Sequence, residues 1–222
     1  MNQVLKQLST IAFALVFMTG IAVAQDNTAS INNALGDNNT ALIEQAGTMN
    51  DGSIYLGQSN RNDVEIDQAG TNNGARFEFR GDRNEVTGMQ YGTDNRMFVN
   101  FRGTGPGPDG DGASRSDFYF EQSGEGNMIS GGIIGDRNEG DVRQYGTDNE
   151  LLGGAGLFDA EGIMIDGDRN DLWVRQHGTA NQGVIQVAGN NNEMSLYQDG
   201  SGHSGEILIN GSGNEHSIHQ TN

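Results

Sequence analysis

The sequence has no cysteine and only 2 prolines in 222 residues, and aromatic residues make up 7% of the chain. The lack of cysteine excludes disulfides, thiol nucleophiles and thiolate metal sites, so other interactions must hold the fold together. Basic residues are also few, since 12 Lys and Arg stand against 30 Asp and Glu and give a net charge of −18. Such a chain is repelled by polyanions, which argues against nucleic acid and anionic membrane surfaces as direct partners.

The first 24 residues differ from the rest. Lys6 supplies a positive start, an apolar run extends from Ile11 to Phe17, and Ala22-Val23-Ala24 resembles a cleavage site for export. A membrane anchor needs about 20 consecutive apolar residues, and this run is shorter. We interpret residues 1–24 as a secretory signal peptide, which predicts Sec export through the periplasm, a secreted mature chain and no membrane insertion.

What the sequence does contain is a long internal repeat. Its skeleton is Asn, five residues, Gln, one residue, Gly, two residues and Asn, as in Asn84 to Asn95. The repeated glutamines are Gln45, Gln68, Gln90, Gln122, Gln144, Gln176, Gln198 and Gln220. Six positions before them stand Asn39, Asn62, Asn84, Ser116, Asn138, Asn170, Asn192 and Asn214. The glutamine spacings of 23, 22, 32, 22, 32, 22 and 22 indicate stacked repeats with two insertions rather than a disordered polar chain.

Polarity alternates within each repeat, which is typical of short strands bounded by Gly/Asn/Asp turns. Counting by twos from each Asn gives an inward set that is mostly apolar, such as Val64 and Ile66, followed by the Gln. A second strand in each repeat also carries inward apolar residues, such as Phe77 and Phe79. This pattern predicts an all-β fold, a parallel β-solenoid with two strands per turn and about eight turns.

The pattern also divides the chain. Residues 25–38 form an N-terminal tail and a partial first turn, and residues 39–222 form the solenoid. The two insertions, near residues 104–115 and 153–160, have no apolar core of their own and are predicted to be surface loops.

These residues resemble the curlin repeat, because eight copies of Asn/Ser-x5-Gln-x-Gly-x-x-Asn follow a secretory signal. Curlins are subunits of curli, the extracellular amyloid fibres of bacterial biofilms. The resemblance implies a β-solenoid that polymerises at the cell surface for adhesion and matrix formation. It also implies a nucleator subunit and an outer-membrane curli secretion channel as partners. Whether the chain is a major or a minor, nucleating subunit stays open.

The chain departs from the curlin pattern at the family's second Gln. An apolar residue stands there in each repeat, so we expect one glutamine ladder per turn instead of two. These apolar residues are Leu56, Phe79, Phe101, Ile133, Ile165, Val187 and Ile209.

The ends of the repeat region carry a prediction about assembly. The first turn is partial, from Ala34 to Asn39, and the last turn has one strand, Asn214 to Gln220, without a second. The end of one molecule is then completed by the start of the next, and such head-to-tail contacts give filaments. We expect replacement of Gln220 or Gln45 to slow elongation more than replacement of Gln122.

A column of carboxylates is expected on the outer face, from Asp63, Glu85, Asp117, Glu139, Asp171, Glu193 and Glu215. One interpretation is a solvated acidic face that slows premature pairing, with Arg143 and Arg175 as neighbours. The other is that divalent cations bridge the column and promote assembly, since oxygen ligands suit Ca²⁺.

Other functions have weaker support. His177, His203, His216 and His219 lack the spacing of metal ligands, and a thin core between two strands offers no catalytic pocket or cofactor site. The sequence therefore predicts no enzyme. The repeated Gly-Thr corners leave open a non-polymerising surface-binding solenoid that binds ice or another ligand. The outward aromatics Trp173 and Tyr119 are candidate lateral contacts between fibres.

Overall fold

The computed structural model describes residues 14–18, 26–33, 36–57, 59–102, 114–152 and 162–222. All regular structure in these residues is β-strand. No helix in the described part of the chain is long and apolar enough to cross a membrane. Most of both predicted insertions lies outside the described residues, so their prediction as surface loops stays a prediction.

Eighteen strands follow one another along the described chain. In chain order they are β1 (Ala14–Met18), β2 (Thr28–Asn32), β3 (Thr40–Thr48), β4 (Asp51–Tyr55), β5 (Asp63–Thr71), β6 (Gly74–Phe79), β7 (Glu85–Thr93), β8 (Arg96–Arg102), β9 (Asp117–Glu125), β10 (Met128–Ile134), β11 (Glu139–Thr147), β12 (Glu150–Leu151), β13 (Ile163–Asp166), β14 (Asp171–Thr179), β15 (Gln182–Ala188), β16 (Glu193–Ser201), β17 (Ser204–Asn210) and β18 (Glu215–Thr221).

These strands form two parallel sheets. The first sheet has the order β1-β3-β5-β7-β9-β11-β14-β16-β18, and the second contains β2, β4, β6, β8, β10, β12, β13, β15 and β17. The short strands β12 and β13 share one level of the second sheet, because both pair with β10 and with β15. Each turn is therefore one strand of the first sheet followed by one level of the second. The predicted two-strand, eight-turn parallel β-solenoid is confirmed.

The stacking keeps equivalent residues in register, and the insertions do not disturb it. Gln90 pairs with Gln122 across 32 residues, just as Gln68 pairs with Gln90 across 22. A parallel ladder shifted by one residue would turn every buried side chain outward. The apolar and amide residues on the inner face therefore hold the register on both sides of each insertion.

The core lies between the two sheets and consists mostly of the predicted inward residues, with Ala75 and Leu151 added. It contains a cluster of five phenylalanines that are all at most 1% exposed: Phe77, Phe79, Phe101, Phe118 and Phe120. Phe79 stacks on Phe101 with ring centroids 4.9 Å apart. Glycines stand at two inward positions beside these rings.

The glycines Gly88 and Gly140 make room for the rings. A methyl group at Gly88 would overlap the ring of Phe77, and one at Gly140 would overlap the ring of Phe118. A small residue in one turn thus makes room for a large residue in a neighbouring turn. The core stays densely packed although the inward residues differ from turn to turn.

The corners contain two residues with positive φ, of which only one is the predicted glycine. At the first corner of one turn, Gly146 has φ 112° and Asp148 has φ 53°. At the opposite corner, Gly135 has φ 103° and Arg137 has φ 59°. Non-glycine residues seldom adopt this left-handed conformation. The left-handed conformation recurs because the next residue, Asn138 or Asn149, is held by hydrogen bonds from its side chain to the following turn.

The solenoid begins earlier than the sequence indicated. Within the predicted tail, β2 is a complete strand of the second sheet and pairs with β4. Asn27 continues a column of buried asparagines, and its Oδ1 accepts a hydrogen bond of 2.9 Å from the backbone N–H of Asn50. The strand β1, within the predicted signal peptide, pairs with β3. The role of residues 1–24 as a signal peptide stays a prediction.

Candidate assembly site

The repeated glutamines form one continuous ladder along the core, as predicted. In every step the Nε2 of one glutamine donates to the Oε1 of the next, from Gln45 to Gln220, at distances of 2.7–2.9 Å. All but Gln220 are at most 5% exposed. A buried amide without partners costs about 1–3 kcal/mol, and the ladder avoids that cost in each turn.

Each glutamine also ties the two sheets together. The second N–H of Gln68 donates to the backbone carbonyl of Asp51 at 3.1 Å, and that of Gln122 donates to Arg96 at 2.9 Å. The same bond recurs in every turn, ending with Gln220 and Ser204 at 2.9 Å. The acceptor always belongs to the second sheet, so each glutamine holds both its neighbour in the stack and the opposite sheet.

The repeated asparagines form a column at the start of each first-sheet strand. Asn62 donates from Nδ2 to Asn39 Oδ1 at 3.1 Å, and its backbone N–H donates to the same atom at 3.0 Å. Ser116 takes one place in this column, where its backbone N–H donates to Asn84 Oδ1 at 3.0 Å. The bonds between asparagines run toward the N-terminal end of the stack, whereas the bonds between glutamines run toward the C-terminal end.

A second asparagine column was not among the predicted site residues. Its members follow the first six glutamines by five positions and are all fully buried: Asn50, Asn73, Asn95, Asn127, Asn149 and Asn181. Each bonds its predecessor, the carbonyl four residues back and a glycine carbonyl of the next turn, as Asn95 does with Asn73, Tyr91 and Gly124. The signal for this column was the last Asn of the Gln-x-Gly-x-x-Asn skeleton. The column closes each corner and explains the positive φ of the residue before it.

The two ends of the glutamine ladder differ in what they leave unpaired. Gln45 Oε1 is buried and accepts no hydrogen bond from any described residue. At the other end Gln220 is partly exposed, accepts from Gln198 at 2.8 Å and donates to Ser204. The N-terminal end thus has a free acceptor, and the C-terminal glutamine is not followed by another described glutamine.

Open sheet edges accompany these ends. Among the described strands β18 pairs only with β16, and β17 pairs only with β15. The inward residues of β18 are correspondingly less buried, since His216 is exposed and Ile218 only partly covered. At the N-terminal end β2 is the edge of the second sheet. An open edge presents unpaired backbone groups that can pair with another chain.

The predicted carboxylate column is present on the outer face of the first sheet. Its members are exposed and in register, with Asp63 beside Glu85 and Asp171 beside Glu193. No group of three or more described His, Asp or Glu residues converges as metal ligands would. Cation bridging of the column stays a prediction.

The acidic character of this face affects Glu65 most clearly. Partial burial raises the pKa of Glu65 above its ordinary value of 4.5, and the neighbouring carboxylates of Glu44, Asp67 and Asp63 raise it further. Ionisation of Glu65 is therefore less favourable in the folded chain than in water.

Two arginines on this face lie over aromatic rings, and one of them offsets part of the charge. Arg143 binds Asp141 through two hydrogen bonds of 2.7 and 2.8 Å and lies over the ring of Tyr119. Burial and the neighbouring Glu121 raise the pKa of Tyr119 to about 12. Arg175 lies over the ring of Trp173 at 5.5 Å. Neither arginine has an ion pair with a member of the carboxylate column among the described residues.

The other predicted surface groups are spread over the solenoid. His177 pairs with the carboxylate of Asp199 at 2.8 Å and His203 bonds the backbone carbonyl of the same residue at 3.1 Å, but no third possible metal ligand joins them among the described residues. The corner threonines lie at strand ends, and Thr48 and Thr71 are 3.4 Å apart. Trp173 stacks on Tyr197, and Tyr197 meets His219 edge to face.

Comparison with known proteins agrees with this geometry. The family model of the curlin associated repeat matches residues 167–200 and 189–221, two overlapping positions that include β14 to β18. A search of curated proteins finds no match. Curlins are extracellular structural amyloid subunits and not an enzyme family. The matches confirm the resemblance seen in the sequence: two stretches near the C-terminal end of the chain are similar to the curlin associated repeat.

Proposed function

We propose that this protein is a structural subunit of extracellular curli-like amyloid fibres and that it polymerises head to tail. The observation that carries the proposal is the pairing of its strands. Every turn stacks in register on its copies, while β17 and β18 each have one unpaired edge among the described strands. A contact that repeats the internal stacking between molecules does not close, and it therefore produces a filament.

The hydrogen-bond ladders of the repeat support a fibre in which the contact between two molecules, the joint, resembles the stacking inside each molecule. Amide ladders extend through the whole core, and a glutamine makes all its hydrogen bonds only when another glutamine stacks on each side of it. We expect growth at the ends to depend on Gln45 and Gln220. Replacing either should slow elongation more than replacing Gln122, which has partners on both sides within one molecule.

In the cell, the proposed fibre would serve adhesion and biofilm matrix formation outside the outer membrane. Export would use the signal peptide of residues 1–24 and then a curli secretion channel. A nucleator subunit would start the fibre. These steps rest on the family resemblance, to which the curlin repeat matches add support.

The test is an assembly time course of the purified chain after removal of residues 1–24. We expect a thioflavin signal that rises after a lag, unbranched fibres in electron micrographs and a fibre-axis reflection at about 4.8 Å. A chain that stays monomeric at high concentration, or fibres without that reflection, would contradict the proposal.

A further inference from the structure

The N-terminal edge of the first sheet is a strand-binding surface, formed by the outer edge of β3. In the full chain it is filled by β1, which pairs with β3 in parallel from Ala14 opposite Ala41 to Met18 opposite Gln45. This segment belongs to the predicted signal peptide. A strand that is removed on export therefore covers the edge on which a fibre would grow.

We propose that the edge of β3 is an exchangeable seat, filled by β1 in the uncleaved chain and by β18 of a second copy in the fibre. The inference rests on the proposed function. It adds which strand of the second copy binds the edge, in which register, and that β1 blocks this binding before cleavage. The register follows from the columns of the first sheet, which are unbroken from β3 to β18. Continuing them places Ile218 of the second copy opposite Ile43 and Gln220 opposite Gln45.

The hydrogen bonds at Gln45 favour β18 over β1 as the occupant. Gln45 is 5% exposed, and its Oε1 lacks a donor although β1 is in place. Met18 of β1 is in register with Gln45, and no donor of any described residue reaches this oxygen. Gln220 of a second copy brings the Nε2 donor that every other glutamine of the ladder receives from its predecessor. The seat thus holds β1 with one buried acceptor unsatisfied and β18 with none.

The ends of the molecule also complement each other as half turns. At the C-terminal end β18 is bonded to the second sheet through Gln220 and Ser204 of β17, no described second-sheet strand follows it, and Ile218 is only partly buried. At the N-terminal end β2 belongs to the second sheet and carries Ala29 and Ile31, which are also only partly buried. Once β1 is gone, β2 contacts the first sheet through the bond from Gln45 of β3 to Thr28, and the first-sheet strand that precedes β2 in its own turn is missing. One copy's β18 and the next copy's β2 then make a single complete turn.

The experiment uses the full chain with a specific protease site inserted between Ala24 and Gln25. Fibre growth from preformed seeds is measured before and after cleavage, and amide hydrogen exchange of β3 is measured in the monomer. Val16→Pro in the uncleaved chain removes a backbone N–H from β1 and weakens its pairing. Val16→Ile is the matched control that keeps a β-branched residue.

We expect the uncleaved chain and Val16→Ile to add to seeds at least tenfold more slowly than the cleaved chain. Val16→Pro should elongate nearly as fast as the cleaved chain without cleavage. The amides of β3 should lose protection on cleavage in the monomer.

Equal elongation of cleaved and uncleaved chains would overturn the seat while leaving the proposed function intact, as would unchanged exchange of β3. Failure of every form to grow fibres would overturn the proposed function and the seat with it.

Discussion

The amide of each buried glutamine from Gln68 to Gln198 is used completely, which makes these residues hard to replace. Both N–H groups of Gln144 are bonded, one to Gln176 and the other to backbone carbonyls of Met128 and Asn149, and its oxygen accepts from Gln122. An apolar side chain of similar size would leave the neighbours in the ladder without partners. The loss falls on groups that are already buried, where water cannot replace the missing bond.

We expect Gln144→Leu to lower the free energy of unfolding by about 2–5 kcal/mol, since a buried unsatisfied group costs about 1–3 kcal/mol. Denaturant unfolding followed by far-UV circular dichroism measures it. Gln182→Leu is the matched control, because Gln182 is exposed and its side chain bonds only Glu150 among the described residues. Its effect should stay within about 0.5 kcal/mol. Equal losses for the two variants would show that the ladder contributes little.

Glu65 provides a pH-dependent test of the outer face. Its pKa is raised in the folded protein, so the folded state binds the proton more tightly than the unfolded state. Below the ordinary pKa of 4.5 both states are protonated and the penalty is absent; it develops as pH rises through the folded pKa. Glu65→Gln should therefore stabilise the fold at pH 7 and leave stability unchanged at pH 4 or below.

Thermal or denaturant unfolding of Glu65→Gln and the parent across this pH range makes the comparison. The exposed Glu206→Gln controls for loss of one negative charge from the whole molecule. A Glu65→Gln effect that is the same at pH 3.5 and pH 7, or that has the opposite sign at pH 7, would contradict the assignment.

At the scale of a corner, two different demands act on neighbouring residues. The first is stacking, because the glycines that follow each Gln lie directly over one another. A methyl group at Gly146 would overlap the backbone carbonyl of Gly178. The second is conformation alone, as at Gly202, where φ is 69° and no atom lies within 4 Å of an added methyl group.

Two alanine variants distinguish the stacking demand from the conformational demand. Gly202→Ala should cost about 1–2 kcal/mol, the usual penalty for a left-handed alanine. Gly146→Ala adds a steric overlap with backbone and should cost at least twice as much. Urea unfolding of both variants measures the difference. Equal costs would mean that the stacked carbonyl shifts freely and that conformation alone selects glycine.

The repeat made the sheets and the core predictable, because period-two polarity fixes which face of a strand is buried. The Gln ladder followed from the same count, since Gln45 and its copies fall on the inward face. The second asparagine column was missed because Asn50 and its copies lie in the corner, outside the alternation. The residues at positive φ, such as Arg137 and Asp148, were missed for a related reason. Their backbone is set by contacts of the next residue with other turns, which no local pattern displays.

The start of the solenoid was predicted too late for a similar reason. β2 carries alternating small and apolar residues, Ala29 and Ile31, that signal a strand only weakly in isolation. Its pairing with β4 and the bond of Asn27 to Asn50 place it in the stack. A terminal strand is thus recognised through its neighbour more than through its own composition.

For the whole molecule, the account predicts that a fibre joint reproduces the interior of the subunit. The described strands supply a half turn at each end and a glutamine ladder whose two ends are complementary in hydrogen bonding. The net charge of −18 opposes association, so the joint must offset repulsion through pairing and burial. Higher ionic strength should screen that repulsion and shorten the lag before growth.

The most direct test of this account is the register of the joint, and the absence of cysteine from the chain makes it accessible. One leader-cleaved chain carries Thr221→Cys, a second carries Ala46→Cys, and the mixed fibres are oxidised. The columns place these exposed positions opposite each other at the joint, within about 5 Å, which suits a disulfide. We predict efficient linkage of 221 to 46 and little linkage of 221 to a cysteine at Leu42, about 13 Å further along the strand. Equal linkage of both pairs, or none in fully grown fibres, would contradict head-to-tail stacking in this register.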